Sequence, residues 1–286
     1  MHRVLLLGAG KIGRMIARLL SGAGDYEVCV GDVDPQALAR IATLPGVETR
    51  QLSATDPAEL AAALAGCDAV ISGLSFHFNP AVAEAALAAG VSYFDLTEDI
   101  ATTREVRRFA GQAAEGQVFM PQCGLAPGFI SIVAYDLTRR FEKLDRVRMR
   151  VGALPQFPAN ELKYNLTWST DGLINEYCNP CEAIHESRRI EVLALEGLEQ
   201  FSLDGIRYEA FNTSGGLGTL CETLEGQVRE LNYKTVRYPG HRELAAFLVN
   251  GLRLSGERET LKQILERAVP VTFQDVVVTF VTVSGW

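Results

Sequence analysis

The first part of the chain alternates short apolar runs with longer amphipathic segments. The apolar runs lie at residues 3–7, 27–31, 48–52, 69–72, 92–95 and 118–120, and helical periodicity fills 35–43, 57–64, 80–89 and 102–114. Short apolar strands that alternate with helices are typical of a parallel sheet covered on both faces. The pattern therefore predicts a doubly wound α/β domain with right-handed crossovers.

Three of these helices carry a start signal at their N-termini. Asp34-Pro35 and Asp56-Pro57 place an acidic capping residue before proline at the first helical position, and Asn79-Pro80 does the same with an amide. Proline is tolerated there because the first helical N–H has no partner within the helix.

The alternation of short strands and helices ends at the turn-rich segment Gly124-Leu125-Ala126-Pro127-Gly128. This segment predicts a boundary between domains 1–124 and 125–286. A helix is expected over 129–141. Strands are expected at 146–151, 189–195, 207–211, 231–236 and 271–283, with helices over 243–252 and 259–268. This order predicts an α+β domain with a mixed sheet, which serves substrate binding and oligomerisation.

Two strands of the second domain have unusual side-chain patterns. Residues 146–151 alternate, which places Val147, Met149 and Val151 on a buried face and three arginines on the other, interpreted as a solvated sheet face. Residues 275–286 form a hydrophobic strand with almost no polar tail, and such a strand needs covering. We therefore expect a truncated chain, and the exposed sheet predicts a homo-oligomer, either a dimer or a tetramer.

Composition narrows the possible partners. The 286 residues are 48% hydrophobic and 22% charged, with a formal net charge of −8. A negative field attracts neither nucleic acid nor an anionic membrane. No segment has the length of a transmembrane helix or the pattern of a secretory signal, which predicts a cytoplasmic location.

The segment Gly8-Ala9-Gly10-Lys11-Ile12-Gly13 follows the first strand and has GxGxxG spacing. In a Rossmann domain these glycines permit a tight turn, close approach of a pyrophosphate and helix–strand packing. Asp32 ends the second strand, where a carboxylate binds a ribose hydroxyl and repels a 2′-phosphate, which predicts NAD rather than NADP. The alternative is a helix-opening turn without a ligand. The predicted cofactor contacts are Gly8, Ala9, Gly10, Lys11, Ile12, Gly13, Asp32, Val33, Thr55, Asp56, Gly73 and Leu74.

Six scattered cysteines indicate a reducing compartment rather than a disulfide framework. Cys178 and Cys181 have CxxC spacing, and His185 follows four residues later. A structural zinc needs four protein ligands, and the sequence has no second cluster. We therefore predict no metal and interpret the pair as structural thiols in a proline-containing turn, with a zinc site or a redox pair as alternatives.

Ligands of open α/β sheets bind beyond the carboxyl ends of the strands. Asp95, Glu98 and His77 follow predicted strands there and are candidates for proton transfer. For Glu98 the alternative is a cap on the next helix, together with Asp99. Phe76 and Cys123 follow strands at the same edge and are predicted substrate contacts.

The chain resembles the saccharopine dehydrogenase family, which includes saccharopine reductases and lysine 6-dehydrogenases. The resemblance rests on the glycine turn, on the segment at 124–128, on 164–172 (YNLTWSTDG) and above all on 233–241 (YKTVRYPGH). It implies hydride transfer to a nicotinamide from a carbon that bears nitrogen, with a base that keeps the nitrogen unprotonated.

The resemblance also implies substrate contacts in the second domain. Saccharopine reductases carry arginine where this chain has Asp171, which favours a lysine-like cationic amine over saccharopine. The alternative for Asp171 is an N-cap of the helix that follows. Arg237 is the expected clamp for the amino-acid carboxylate. Saccharopine reductase proper and a catalytically silent NAD-binding regulator remain alternative functions.

Overall fold

The computed structural model describes residues 1–272 and 274–286. Their contacts divide them into two compact units, Met1–Gly124 and Leu125–Trp286. Each unit has its own hydrophobic core, and the two are described separately.

The first unit, all of which the structure describes, contains a six-stranded parallel sheet in the order β3-β2-β1-β4-β5-β6. Its strands are β1 His2–Leu7, β2 Tyr26–Asp32, β3 Val47–Gln51, β4 Ala69–Ser72, β5 Ser92–Asp95 and β6 Phe119–Met120. The order reverses between β1 and β4, which places a ligand crevice beyond the carboxyl ends of these two strands.

The helices of this unit are α1 Lys11–Ala23, α2 Pro35–Ile41, α3 Pro57–Leu64, α4 Asn79–Ala89 and α5 Ile100–Ala110. Asp34 and Asp56 cap α2 and α3 as predicted. The expected cap at Asn79 is wrong, because Asn79 is the first residue of α4. Its side chain is buried instead, where its Oδ1 accepts a hydrogen bond from Ser72 Oγ at 2.7 Å.

Successive residues of β1 enter cores on opposite faces of the sheet. Leu5 and Leu7 pack in one buried cluster with Val70 and Tyr93, whereas Leu6 belongs to another cluster. A strand covered on both faces has no polar alternation, which explains the continuous apolar run after Arg3.

The described residues of the second unit form a mixed sheet in the order β10-β11-β12-β7-β13, and β8 joins β12 to β9. Its strands are β7 Leu144–Pro155, β8 Cys181–His185, β9 Arg188–Val192, β10 Glu199–Leu203, β11 Ile206–Asn212, β12 Val228–Arg237 and β13 Asp275–Gly285. β7 and β12 are parallel, and β13 runs antiparallel to β7. The predicted fold class, a Rossmann sheet followed by a mixed α+β unit, is confirmed.

The helices of the second unit are α6 Phe129–Thr138, α7 Thr170–Cys178, α8 Leu220–Leu224, α9 His241–Ala246 and α10 Arg258–Ala268. A π-helical turn, Phe247–Gly251, extends α9. Sequence-based prediction missed β8, β10 and α8, which have 5 residues each, and named α7 only as the helix that follows Asp171. Within the described residues, no helix has the length and apolar character needed to cross a membrane.

The interpretation of the arginine row on β7 as solvated is wrong for one residue. Val147, Met149 and Val151 are buried as predicted, and Arg148 is exposed. Arg150, however, is only 2% exposed. Its guanidinium donates two hydrogen bonds to Glu199 on β10, at 3.0 and 2.9 Å, so that a paired charge replaces the missing water.

The final strand begins later than predicted. The expected range was 271–283, whereas β13 spans Asp275–Gly285 and pairs with β7 along its length. Phe273, inside the predicted range, lies outside the described residues.

Candidate functional site

The glycine turn has the backbone geometry that its sequence spacing predicts. Gly8 has φ of +100°, which favours glycine. A Cβ on Gly13 would lie 1.9 Å from Gly8 O, so that only glycine lets α1 start against the turn. A Cβ on Gly8 would lie 3.0 Å from Gly73 O, at the end of β4. The turn is therefore packed tightly against the end of β4, at the point between β1 and β4 where the strand order reverses.

Gly10 differs from its two neighbouring glycines, because no atom lies within 4 Å of a Cβ built on it. It is the N-cap of α1, and no side chain caps that helix. A helix N-terminus attracts an anion through its N–H groups and its dipole. The open space at Gly10 and the capless helix fit the pyrophosphate of a dinucleotide.

Asp32 ties the end of β2 to the glycine turn. Its Oδ2 accepts a hydrogen bond from Ala9 N at 2.6 Å, and its Oδ1 accepts one from Asp34 N at 2.9 Å. The carboxylate therefore holds the turn in shape at the place where an adenosine ribose would lie. Lone pairs on both oxygens can still accept from hydroxyl groups.

The other predicted cofactor residues lie on the same edge of the sheet in different settings. Lys11 and Ile12 begin α1, and Val33 is 61% exposed directly after Asp32. Gly73 N donates to Leu7 O at 2.8 Å, which joins the ends of β4 and β1, and Leu74 Cδ2 would lie 3.3 Å from a Cβ on Gly8. The Thr55 and Ser53 hydroxyls are 2.8 Å apart. Asp56 accepts from Ala58 N and Glu59 N as a helix cap, and its cofactor contact stays a prediction.

Asp95 is fully buried and already has three hydrogen-bond donors. It accepts from Tyr93 Oη at 2.7 Å, from Thr97 N at 2.9 Å and from Gln122 N at 3.0 Å. Burial raises the pKa of its carboxyl group against the effect of these bonds. The arrangement joins β5 to the segment after β6, so that Asp95 fits a positioning role better than direct proton transfer.

The remaining proton-transfer candidates are more accessible. Glu98 is half-buried, and the N-cap of α5 is Asp99, whose side chain accepts from Thr102 N at 2.7 Å. His77 is exposed in a 3-10 turn beside Phe76, with their ring centroids 5.8 Å apart. The capping alternative is therefore confirmed for Asp99, whereas Glu98 is not the N-cap residue.

Cys123 follows β6 and is exposed. Its Sγ lies 3.2 Å from Met120 O, and its N–H donates to Asp95 O at 2.7 Å. Desolvation of the sulfur by the surrounding protein, and then the Asp95 charge, raise the pKa of its thiol to about 11. The group is therefore a neutral thiol at pH 7, and its contact with substrate stays a prediction.

Asp171 lies in the first turn of α7 but is not its N-cap. Ser169 is the N-cap, and its Oγ accepts from Gly172 N at 3.2 Å. The Asp171 carboxylate lies 2.9 Å from Lys262 Nζ on α10, with both side chains about 30% exposed. The alternative of a capping role is therefore wrong, and the negative charge at Asp171 has a cationic neighbour that the sequence did not reveal.

Arg237 is buried inside the second unit, with 2% of its surface exposed. Its Nε donates to Tyr177 Oη at 3.0 Å, its Nη1 donates to Val236 O at 3.0 Å, and its Nη2 lies 3.6 Å from Glu176 Oε2. The guanidinium carbon is 4.8 Å from the ring centroid of Tyr164. These neighbours compensate the positive charge of Arg237 and fix the orientation of its guanidinium. The predicted role as a carboxylate clamp stays a prediction.

His241 completes a chain of hydrogen bonds that starts at Arg237. His241 Nδ1 lies 2.7 Å from Leu162 O, and its Nε2 lies 2.8 Å from Tyr177 Oη. A carbonyl can only accept, so Nδ1 carries the proton and Nε2 accepts from the tyrosine. Burial, and then the Arg237 charge, lower the pKa of His241 to about 3. The histidine is therefore neutral at any physiological pH.

The CxxC pair does not form a metal site with His185. Cys178 ends α7 and Cys181 begins β8, whereas His185 lies exposed at the opposite end of β8. In the described part of the chain, ligand atoms of His185, Glu186 and Glu230 lie within 4.8 Å of one another. Arg229 Nη1 donates to both carboxylates, at 3.2 and 2.7 Å, and already supplies a cation there.

Sequence-based prediction missed the residues that form hydrogen bonds or ion pairs with Asp95, Asp171 and Arg237, or that extend these networks. They are Tyr93, Glu176, Tyr177, His241 and Lys262. His241 had a signal, because it belongs to the segment at 233–241 that carries the resemblance. The others come from distant parts of the chain and have no local pattern.

Comparison with known proteins covers both units. Residues 4–120 match the model described as saccharopine dehydrogenase NADP binding domain. Residues 124–277 match the saccharopine dehydrogenase C-terminal domain. A curated relative, saccharopine dehydrogenase [NADP(+), L-glutamate-forming] of Saccharomyces cerevisiae, is 28% identical over 204 residues, which are 68% of this chain and 44% of the relative.

A solved structure of Saccharomyces cerevisiae saccharopine dehydrogenase (L-Glu forming) superimposes with a TM-score of 0.70 at 23% identity. The match covers 87% of this chain and 58% of that chain, and it shows the fold. This chain spans about half the length of the relatives that it matches. Because the two matching family models together cover both units, the chain belongs to the saccharopine dehydrogenase family.

Proposed function

We propose that this chain is an oxidoreductase that binds a nicotinamide dinucleotide and oxidises a carbon–nitrogen bond of lysine or a lysine-derived amino acid. The observation that carries the proposal is the glycine turn, which is closed at Gly13 and open at Gly10 where α1 begins. Membership of the family supports the kind of reaction.

The bound nicotinamide would supply the hydride acceptor. The residues of the chain would hold the dinucleotide at the glycine turn and take a proton from the substrate nitrogen, because hydride leaves only when that nitrogen is unprotonated. For the proton we propose Glu98 at its carboxylate or His77 at its imidazole, since both are more accessible than Asp95.

We further propose NAD rather than NADP as the preferred cofactor, although the matching domain model and the yeast relative are named for NADP. Asp32 lies at the end of β2 with Asp34 two residues later. Two carboxylates at this point favour ribose hydroxyls and oppose a 2′-phosphate.

The cofactor proposal predicts that NADH binds at least about tenfold more tightly than NADPH, a difference of about 1.4 kcal/mol. Asp32→Ala should remove most of this preference. It also frees Ala9 N, so that both affinities should fall, but their ratio reports the ribose contact alone. Titration of nicotinamide fluorescence measures both constants. Asp25→Asn, an exposed carboxylate at the other end of β2, serves as the control. Equal affinities in the unmodified protein contradict the proposal.

For the substrate we propose a lysine-like amine rather than saccharopine. Asp171 provides a negative charge in the segment that carries the resemblance, but Lys262 lies 2.9 Å away. The pair is neutral as a whole, so that it opposes a dicarboxylate less strongly than an isolated carboxylate would. A pair this exposed contributes about 1 kcal/mol or less.

We therefore expect lysine to be oxidised with higher kcat/KM than saccharopine, by a factor of a few. Asp171→Arg should shift the ratio towards saccharopine, and Lys262→Gln, which leaves Asp171 uncompensated, should shift it further towards lysine. Steady-state rates with both substrates measure the ratio. A preference for saccharopine in the unmodified protein would place the chain with the saccharopine reductases, and binding of NADH without turnover of any amine would favour a silent regulator.

A further inference from the structure

Gln122 has an unusual backbone conformation. Its φ is +65°, and no other residue except glycine has a positive φ in the first unit, all of which the structure describes. Side chains rarely tolerate this left-handed region. In the second unit, hairpin turns require it at Glu186 and Ser187, between β8 and β9, and at Asp204, between β10 and β11. Gln122 has no such reason, because it follows the parallel strand β6.

The buried residue Asp95 holds Gln122 in this conformation. Asp95 Oδ1 accepts a hydrogen bond from Gln122 N at 3.0 Å, and Asp95 O accepts one from Cys123 N at 2.7 Å. Asp95 is the last residue of β5, so that these bonds draw the chain that follows β6 over the end of β5. Backbone strain that the surrounding structure imposes is concentrated at functional sites.

The side-chain amide of Gln122 differs from other polar groups at the ends of β4 and β5. Ser72 Oγ donates to Asn79 Oδ1, and Thr97 Oγ1 accepts from Asp99 N. Gln122 is half-buried, and within the described residues nothing forms a hydrogen bond with its amide. Protein atoms do not enclose that amide. Its donors and its acceptor oxygen are therefore available to a ligand.

The strand order indicates which part of a dinucleotide would lie near Gln122. Asp32, the proposed contact of the adenosine ribose, ends β2, and the glycine turn follows β1. β4, β5 and β6 lie in this order on the other side of β1. A dinucleotide binds across the carboxyl ends of the strands at the switch point. Its nicotinamide half would therefore extend over β4 and β5, where Gln122 is held.

We propose that the Gln122 amide binds the carboxamide group of the nicotinamide. Nε2 would donate to the carboxamide oxygen, and Oε1 would accept from the carboxamide nitrogen. Two carboxamides are complementary, because each has an acceptor oxygen beside N–H donors. The contact would fix the rotation of the nicotinamide ring, and with it the face of C4 that receives hydride. This inference rests on the proposed dinucleotide site, and it holds for NADH and NADPH alike, because their nicotinamides are identical.

The test compares NADH with ADP-ribose, which has the same adenosine and pyrophosphate but no nicotinamide. Gln122→Met keeps the length of the side chain and removes the amide. We expect it to weaken NADH binding about five- to tenfold, the contribution of one or two neutral hydrogen bonds, and to leave ADP-ribose binding unaltered. Reduced thionicotinamide adenine dinucleotide, whose sulfur is a weaker acceptor than oxygen, should lose less affinity than NADH. Calorimetric titration measures all three constants.

Gln122→Gly separates the amide from the strained backbone. Glycine adopts a positive φ without steric cost. This variant should therefore melt no lower than the unmodified protein, yet it should bind NADH as weakly as Gln122→Met does. If Gln122 acted only through the fold, a loss of NADH affinity would accompany a lower melting temperature.

The matched control is Gln112→Met, which changes an exposed glutamine after α5 and should leave both affinities unaltered. Unchanged NADH affinity in Gln122→Met, or an equal loss of affinity for NADH and ADP-ribose, would overturn the nicotinamide contact and leave the dinucleotide site in place. An unmodified protein that binds neither ligand would overturn the proposed function, and the contact together with it.

Discussion

Replacing Arg237 with methionine should lower the free energy of unfolding by about 3–5 kcal/mol, the cost of breaking a buried charge pair. The change leaves Glu176, which is 7% exposed, without the cation 3.6 Å away. It also removes the N–H that donates to Tyr177 Oη. Urea unfolding followed by fluorescence or circular dichroism measures the loss.

Two further variants separate the charge from the loss of packing. Arg148→Met changes an exposed arginine of the same sheet and should alter stability by no more than about 0.5 kcal/mol. Adding Glu176→Gln to Arg237→Met should recover part of the loss, because the buried side chain that lost its cation then carries no charge. A loss with Arg237→Met no greater than with Arg148→Met would show that the buried pair contributes little.

Three glycine-to-alanine substitutions in and next to α1 should have three different results. Gly13→Ala places a Cβ 1.9 Å from Gly8 O, so that the turn must move. We expect a loss of stability of about 1–3 kcal/mol and a loss of cofactor binding. Gly10→Ala meets no protein atom within 4 Å. It should therefore melt like the unmodified protein yet bind NADH at least about tenfold more weakly, since the methyl group fills the space of the pyrophosphate.

Gly22→Ala is the matched control in the same helix, because no atom lies within 4 Å of its Cβ and its place in α1 lies far from the turn. It should bind NADH normally and gain up to about 1 kcal/mol of stability from the better helix propensity of alanine. Calorimetric melting and NADH titration separate the three results. Normal NADH affinity in Gly10→Ala would contradict the placement of the pyrophosphate.

The elements around the glycine turn of the first unit could be predicted from the sequence because the residues that determine them are close together in the chain. The glycine spacing, the apolar strands and the caps at Asp34 and Asp56 each depend on residues a few positions apart, and backbone sterics fix their meaning. The same reasoning failed at Asn79, because its side chain bonds to Ser72 on β4 rather than to its own helix.

The second unit shows the limit of such reasoning. Alternation on β7 correctly placed Val147, Met149 and Val151 inside, yet it could not place Arg150, which is buried because Glu199 arrives from β10. Pairing energies between charges depend on distance and burial, and neither is a property of the local sequence. The short elements β8, β10 and α8 had too few residues for a period to be visible.

The sequence by itself determined the two-unit α/β architecture, the position of the glycine turn and the acidic end of β2, because these follow from residue type and spacing. The tertiary structure alone decided which titratable groups share an environment. It joined Asp95 to Tyr93, Asp171 to Lys262, and Arg237 to Glu176, from separate elements. Local spacing encodes backbone conformation, whereas the setting of a buried charge depends on which distant segments fold against it.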